Sequence, residues 1–292
     1  MENILEIQSL RKEYDGFTLK DISFQLPYGY IMGLIGPNGA GKTTTIKLIM
    51  NLLRRNSGEI KIFGKDNREH EIEIKSRLGF VYDTPTFYEQ LSLKQMKTII
   101  APFYKKSWDE EMFQRYMKQF ELPLKAKVKT LSRGMHMKFA LALALSHHAE
   151  LIIMDEPTSG LDPVFRRELL DILSALIQDE RKSILFSTHV TSDLERIADY
   201  ITFIHKGEVV FSLTRDEVFE SYGVVKGGKE LLTEENDSLF AGIREHKYGI
   251  EALTSNLPEA RKKFKTAAVI EKATLEDIMF YTGKGGKGGG NV

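Results

Sequence analysis

The sequence predicts an α/β protein: a parallel-sheet core, an antiparallel β portion, a helical subdomain inserted in the core and a small C-terminal accessory domain. Three observations carry this. First, residues 30–35, 78–82, 151–155 and 183–188 are short, continuous apolar runs, the pattern of strands buried on both faces. Second, a glycine-rich stretch, Gly36-Pro37-Asn38-Gly39-Ala40-Gly41-Lys42-Thr43-Thr44, follows the first run and precedes Ile46, Ile49, Met50 and Leu53 at helical spacing. Third, residues 92–121 carry helical stripes and no strand pattern.

The bulk composition narrows the classes. The 292 residues allow one large or two ordinary domains. With 42% hydrophobic and 28% charged residues the chain is globular. Lys+Arg and Asp+Glu both total 41, so no net field draws it to nucleic acid or anionic lipid. The lack of cysteine excludes disulfides and cysteine-ligated zinc. Met1-Glu2-Asn3 lacks the basic and apolar regions of a signal peptide. No run of about 18 apolar residues exists, so membrane work is expected to go through a partner.

Residues 3–35 read as short strands, with 21–26 alternating apolar and polar. Tyr14, between the first two, offers either one wall for a nucleotide base or a surface tyrosine in a hairpin. The glycine stretch fits a phosphate-binding loop. Its glycines let the backbone approach a ligand, successive N–H groups turn inward, and the new helix adds its positive end. Lys42 can reach outer phosphates, and the Thr43 hydroxyl is placed for Mg²⁺. Residues 58–64 give another strand, and the charged stretch 65–77 a solvated helix. The run 78–82 ends at Asp83, a site candidate or a turn cap.

Leu93, Met96, Ile99 and Ile100 form one helical stripe. Met112, Phe113, Tyr116, Met117 and Phe120 form another, after a break at 107–109, and both read as core packing. Leu131-Ser132-Arg133-Gly134-Met135 opens a further helix. Its start offers N–H groups to an anion, though from this stretch alone an ordinary serine N-cap is the better explanation. The run 151–156 ends in Asp155 and Glu156, two carboxylates that need a metal or cations. Asp155 suits Mg²⁺, and Glu156 a general base on water. A turn follows, with Asp162 capping a helix begun by Pro163. The run 183–188 ends at His189. In a parallel sheet Gly36, Asp83, Asp155, Glu156 and His189 fall along one edge and make one site. Residues 200–211 form a closing hairpin. From 213 to 282 the pattern weakens into a small accessory domain, helical at 274–281, and 283–292 is a flexible Gly/Lys tail.

These motifs, in order over residues 1–212, resemble the nucleotide-binding subunit of ABC (ATP-binding cassette) transporters. The resemblance implies a P-loop NTPase core with a RecA-like parallel sheet and a helical subdomain at about 84–148. It implies ATP and Mg²⁺ as cofactors. Tyr14 would stack on adenine, and Asn38, Gly39, Ala40, Gly41, Lys42, Thr43 and Thr44 would cradle the phosphates as the Walker A loop. Thr43, Asp83 and Asp155 would hold Mg²⁺, Asp83 standing where the family has the Q-loop glutamine. Glu156 and His189 would be catalytic, and residues 159–162 the D-loop. Ser132, Arg133 and Gly134, from the LSGGQ-like signature, would meet ATP in trans, in a head-to-tail dimer. Arg133 and Met135 depart from that signature, replacing a glycine and a glutamine. Gly79-Phe80-Val81-Tyr82-Asp83 and residues 149–167 are similar to bacterial exporter cassettes for peptides, bacitracin-type antibiotics and phenol-soluble modulins. The implied role is an ATPase on the cytoplasmic face of the membrane, docked to an integral-membrane subunit near Asp83, Phe87 and Tyr88, with no nucleic acid. A soluble ABC ATPase acting on nucleic acid or ribosomes is the first alternative. It lacks support here: no long coiled coil separates the Walker A and signature stretches, and only one cassette is present. An importer ATPase is the second.

Overall fold

The computed structural model describes residues 2–82, 87–104 and 106–284, so Asp83 lies outside the described residues. The chain divides into two compact units, Met1–Ser212 and Leu213–Val292.

The first unit holds two sheets. Strands β1 (Asn3–Tyr14) and β2 (Phe17–Pro27) form a long hairpin in which Tyr14 faces Phe17 across the Asp15-Gly16 turn. β3 (Ile31–Ile35) is buried throughout and leads through the glycine loop into helix α1 (Lys42–Ile49). β4 (Ser57–Ile62) pairs with β1, and β5 (Lys65–Asp66) with β4, giving the antiparallel order β2-β1-β4-β5. The helix expected over 65–77 is only α2 (Glu71–Ser76). Its first residues are taken by β5 and a turn in which Asp66 accepts from the N–H groups of Arg68 and Glu69. A carboxylate satisfying those donors locally competes with helix.

β6 (Leu78–Val81) leads into helices α3 (Leu93–Ile100), α4 (Glu110–Gln119) and α5 (Arg133–Leu145). Ser92, Asp109 and Ser132 cap the three in turn. The segment 92–121 is thus two helices, matching the two stripes and the break expected at 107–109, with the 3₁₀ turn Ala101–Tyr104, which contains Pro102, closing the first. β7 (Leu151–Asp155), α6 (Pro163–Leu176), β8 (Ser183–Thr188), α7 (Thr191–Ile197), β9 (Tyr200–His205) and β10 (Glu208–Thr214) complete the unit. The second sheet has the order β10-β9-β3-β8-β7-β6. Its inner pairs are parallel: β3 lies between β8 and β9, with Ile35 opposite both Thr188 and Phe203, and β7 pairs with β8 and β6. The strand ends carrying Gly36, Asp155, Glu156 and His189 therefore share one edge.

The second unit was the least legible part of the sequence. After α8 (Arg215–Ser221) come β11 (Gly223–Gly227), β12 (Gly242–His246), β13 (Gly249–Thr254), α9 (Leu257–Phe264), β14 (Ala268–Lys272) and α10 (Leu275–Lys284). The sheet order is β12-β13-β11-β14 with every neighbour antiparallel. That is the order of the split β-α-β, ferredoxin-like motif. Here 3₁₀ turns at Lys229–Leu231 and Asp237–Leu239 stand where the first helix would be. Val225, Ile250, Ala252, Ala260 and Phe264 form its core. In α10, Ile278 and Tyr281 are buried, and Tyr281 donates to Glu251 at 3.0 Å. Burial, then the Glu251 carboxylate, push the Tyr281 hydroxyl to about 12.

Candidate functional site

The glycine loop bends over the end of β3. A Cβ on Gly36 would meet the Ile204 carbonyl oxygen at 2.2 Å, and one on Gly41 would meet Leu19 at 2.4 Å. Gly41, at φ 116°, is the N-cap of α1, so the helix opens directly from the loop. The Lys206-Gly207 turn between β9 and β10 braces it from behind. The Gly207 N–H donates to the Ala40 carbonyl at 3.1 Å, and the Lys20 N–H to the Gly207 carbonyl at 2.7 Å.

Lys42 is 6% exposed. Its ammonium donates to the Gly36 carbonyl at 2.8 Å and stands 3.4 Å from Glu156 Oε1. The Thr43 hydroxyl donates to Asp155 Oδ1 at 3.2 Å, and Ser187 donates to the same oxygen at 2.6 Å. Glu156, at φ 49°, leaves the strand in a left-handed conformation that costs free energy in a non-glycine residue. Its N–H donates to the Ser187 carbonyl and hydroxyl at 3.1 and 3.0 Å, which holds it there. Its Oε2 accepts the His189 N–H at 3.2 Å and stands 2.8 Å from His189 Nδ1.

Lys42, Thr43, Glu156 and His189 line one cavity of about 580 Å³ with Phe17, Asn38, Gly39, Ala40, Gly41, Thr44 and Ser159, whereas Asp155 stands behind Thr43 and is not in that wall. Tyr14 is not in that wall. It lines a second cavity of about 500 Å³ that shares Phe17 and Gly39 with the first and includes Lys20 and Lys206. Phe17 was missed by the sequence reading. The available signal was its place as the residue opposite Tyr14 across the hairpin turn. Ser132, Arg133 and Gly134 are placed at the start of α5, and Ser132 accepts from the Met135 N–H at 3.3 Å, an ordinary cap.

Among the described residues no group of three or more His, Asp and Glu could hold a metal by itself. The hard oxygens of Thr43 and Asp155 lie within hydrogen-bond reach of each other beside the phosphate loop. That donor set suits Mg²⁺, which keeps waters and shares phosphate oxygens rather than filling a protein cage.

A separate groove of about 230 Å³ lies between β6 and the helical segment, walled by Phe80, Tyr82, Phe87, Ile100, Tyr104 and His147 among others. Phe87 packs edge-on against Phe139 at 5.2 Å, whereas Tyr88 is 68% exposed and outside the groove wall. The His147 ring stacks on Tyr104 at 3.8 Å, with its nitrogens 3.3 and 3.1 Å from the Leu143 and Leu78 carbonyls. Burial outweighs those two acceptors and moves His147 below its ordinary pKa. No described helix is long and apolar enough to cross a membrane.

The family described as ABC transporter matches residues 19–159. The bacitracin transport ATP-binding protein BcrA of Bacillus licheniformis is 33% identical over 75% of this chain and 72% of its own length. The lantibiotic transport ATP-binding protein SrtF of Streptococcus pyogenes is 32% identical over 73% of this chain and 92% of its own. A solved ATP-binding subunit of an ABC transporter superposes with a TM-score of 0.65 at 30% identity, covering 74% of this chain and 91% of that one.

Proposed function

Since the chain belongs to the ABC transporter family of ATP-binding subunits, we propose that it powers an exporter whose cargo is an antibiotic or an amphipathic peptide. Subunits of this family bind nucleotide, hydrolyse ATP for transport and work with membrane transporter subunits. The antibiotic cargo follows the bacitracin and lantibiotic transport named for the two relatives. The observation that carries the site is the meeting of Lys42, Glu156 and His189 on one wall of the phosphate-loop cavity.

On this reading the triphosphate takes the place of the carbonyls and carboxylate that now hold Lys42, and the loop N–H groups receive its oxygens. Thr43 and Asp155 hold Mg²⁺, with Asp83 as a third donor. Held there, Mg²⁺ would supply counter-charge to the phosphate oxygens. Glu156 takes the proton of the attacking water. His189 fixes the Glu156 carboxylate through its backbone N–H and ring. The base stacks on Phe17, with Tyr14 as the outer wall. A second copy supplies Ser132 and Gly134 to the γ-phosphate, head to tail. The aromatic groove with Phe87 takes a helix of the membrane subunit at the cytoplasmic face, and Asp83 and Tyr88, close to Phe87 in sequence, are assigned to the same docking region. Nucleic acid is no partner, in keeping with the balanced charge.

The test is purification of the tagged chain from detergent-solubilised membranes of its own cell. The expected result is a stoichiometric polytopic membrane protein whose antibiotic export stops when Lys42→Ala replaces the native chain. Recovery with ribosomes or nucleic acid instead would refute the exporter reading.

A further inference from the structure

The structure gives Arg133 a seat that its sequence position does not disclose. Its guanidinium lies over Gly160, where a side chain would begin: Nη1, Cζ and Nε are 2.8, 3.1 and 3.4 Å from the position a Cβ would take. Gly160 has a φ of 65°, so its conformation and the overlying guanidinium both call for glycine. A second close approach adjoins the first. A Cβ on Gly134 would stand 2.9 Å from the Phe165 ring. Phe165 is fixed in turn by its N–H bond to Asp162 at 3.0 Å and by the Lys138 ammonium 5.0 Å from its ring. The first turn of α5 thus rides on the segment from Gly160 to Phe165 at two adjacent points.

That segment begins at the nucleotide cavity. Ser159 is in the cavity wall, and its N–H donates to the Glu156 carbonyl at 3.1 Å. Displacing Gly160 therefore moves Ser159, and with it the turn that carries Glu156. On the other side, Arg133 sits between Ser132 and Gly134, the pair assigned above to the partner's ATP. One side chain spans from the chain's own site to the turn it offers its partner. A guanidinium suits the task because it is planar and stiff and lies flat on a backbone that has no Cβ, whereas a lysine would touch it with a flexible tip.

We propose that Arg133 is a positioning residue that couples the two ATP sites of the dimer, by locking its own chain's Ser159 and Gly160 to the Ser132 turn. The inference rests on the two-copy reading given above. It requires no contact between Arg133 and nucleotide, and so replaces the in-trans ATP contact that the family resemblance implied for Arg133 with a seat on Gly160.

The test uses the full chain, with ATPase rate measured against MgATP concentration and ATP binding measured separately. Arg133 is exposed, so its removal leaves the core intact. Arg133→Ala should lower kcat by about 10–100-fold, the cost of a small misplacement at a reacting site. It should also flatten a sigmoidal ATP dependence toward a Hill coefficient near 1. ATP affinity of the resting chain should stay within about twofold, because Arg133 is outside the cavity wall. Gly160→Ala, which evicts the guanidinium, should reproduce the defect. The double variant should be no worse than the poorer single variant, within about threefold, since both break one contact. Arg133→Lys should rescue little. An Arg133→Ala chain with normal kcat and Hill coefficient overturns the inference, as do losses that multiply in the double variant. If Lys42→Ala and Glu156→Gln both leave hydrolysis intact, the functional reading falls and this inference with it. If those two abolish hydrolysis while Arg133→Ala does nothing, this inference alone falls.

Discussion

Glu156→Gln separates nucleotide binding from turnover, and the structure sets the size of both effects. The amide keeps the shape and can still accept the His189 N–H, but it cannot take a proton from water. Loss of a positioned general base lowers the rate by about 10²–10⁴. Binding should move the other way. The Glu156 carboxylate stands 3.4 Å from the Lys42 ammonium and competes with phosphate for it. Two unit charges at that separation attract by roughly 5 kcal/mol at an effective dielectric near 20. Desolvation of this largely buried pair and the entropy of the two side chains offset most of this, leaving on the order of 1 kcal/mol. Removing an anion from beside the γ-phosphate adds a similar amount, so ATP should bind about 5–30-fold more tightly. The variant should then accumulate as an ATP-bound dimer. The assay combines steady-state ATPase, equilibrium ATP binding and light scattering with and without MgATP, and Ser132→Arg added to Glu156→Gln should undo the dimer. A Glu156→Gln chain that hydrolyses ATP normally removes Glu156 from the base role. One that binds ATP more weakly than the native chain refutes the competition between Glu156 and phosphate for Lys42.

Two further outcomes follow from the side chains beside the site. Phe17→Ala should weaken ATP by about 1–3 kcal/mol, on the scale of base–aromatic stacking, and Tyr14→Ala by less; a larger loss at Tyr14 in binding titrations would return the base to the outer cavity. His147 is held neutral by burial, so its contribution to stability is complete above its unfolded pKa of about 6.5 and is lost as pH falls through the depressed folded value. The urea midpoint should therefore drop as pH falls below about 6.5, and His147→Gln should flatten that slope; an unchanged slope would show that other groups control it.

The site was legible where backbone and side chain carry one message. A glycine loop between a buried strand and a helix, and carboxylates or histidine at the ends of apolar runs, have few other uses in an α/β sheet. Phe17 was hidden because its role depends on a hairpin register, with Tyr14 opposite it, and either aromatic could have faced the loop. The seat of Arg133 was hidden because it joins residues 27 positions apart through a glycine that looks like an ordinary turn. The ferredoxin-like sheet was hidden for another reason. Its strands are about five or six residues long, and β12 and β14 are exposed along most of their length, so their apolar pattern is thin. Asp66 misled locally, since a charged stretch read as a solvated helix gave no hint that its own carboxylate would hold a turn.

The central position of β3 has a consequence for the order in which the molecule is made. Its hydrogen-bonding neighbours, β8 and β9, begin at Ser183 and Tyr200, and the turn that braces the phosphate loop lies at Gly207. A ribosome adding roughly 5–20 residues per second needs about 10–30 s to supply them after β3 has emerged. Through that interval the nascent chain carries a wholly apolar strand with both edges unpaired, while the β1–β2 hairpin can already close. The phosphate loop becomes a binding site only when the last hairpin of the first unit has left the exit tunnel. Translation pauses upstream of that hairpin would lengthen the exposure of β3, and holding chaperones that take apolar extended segments would act there.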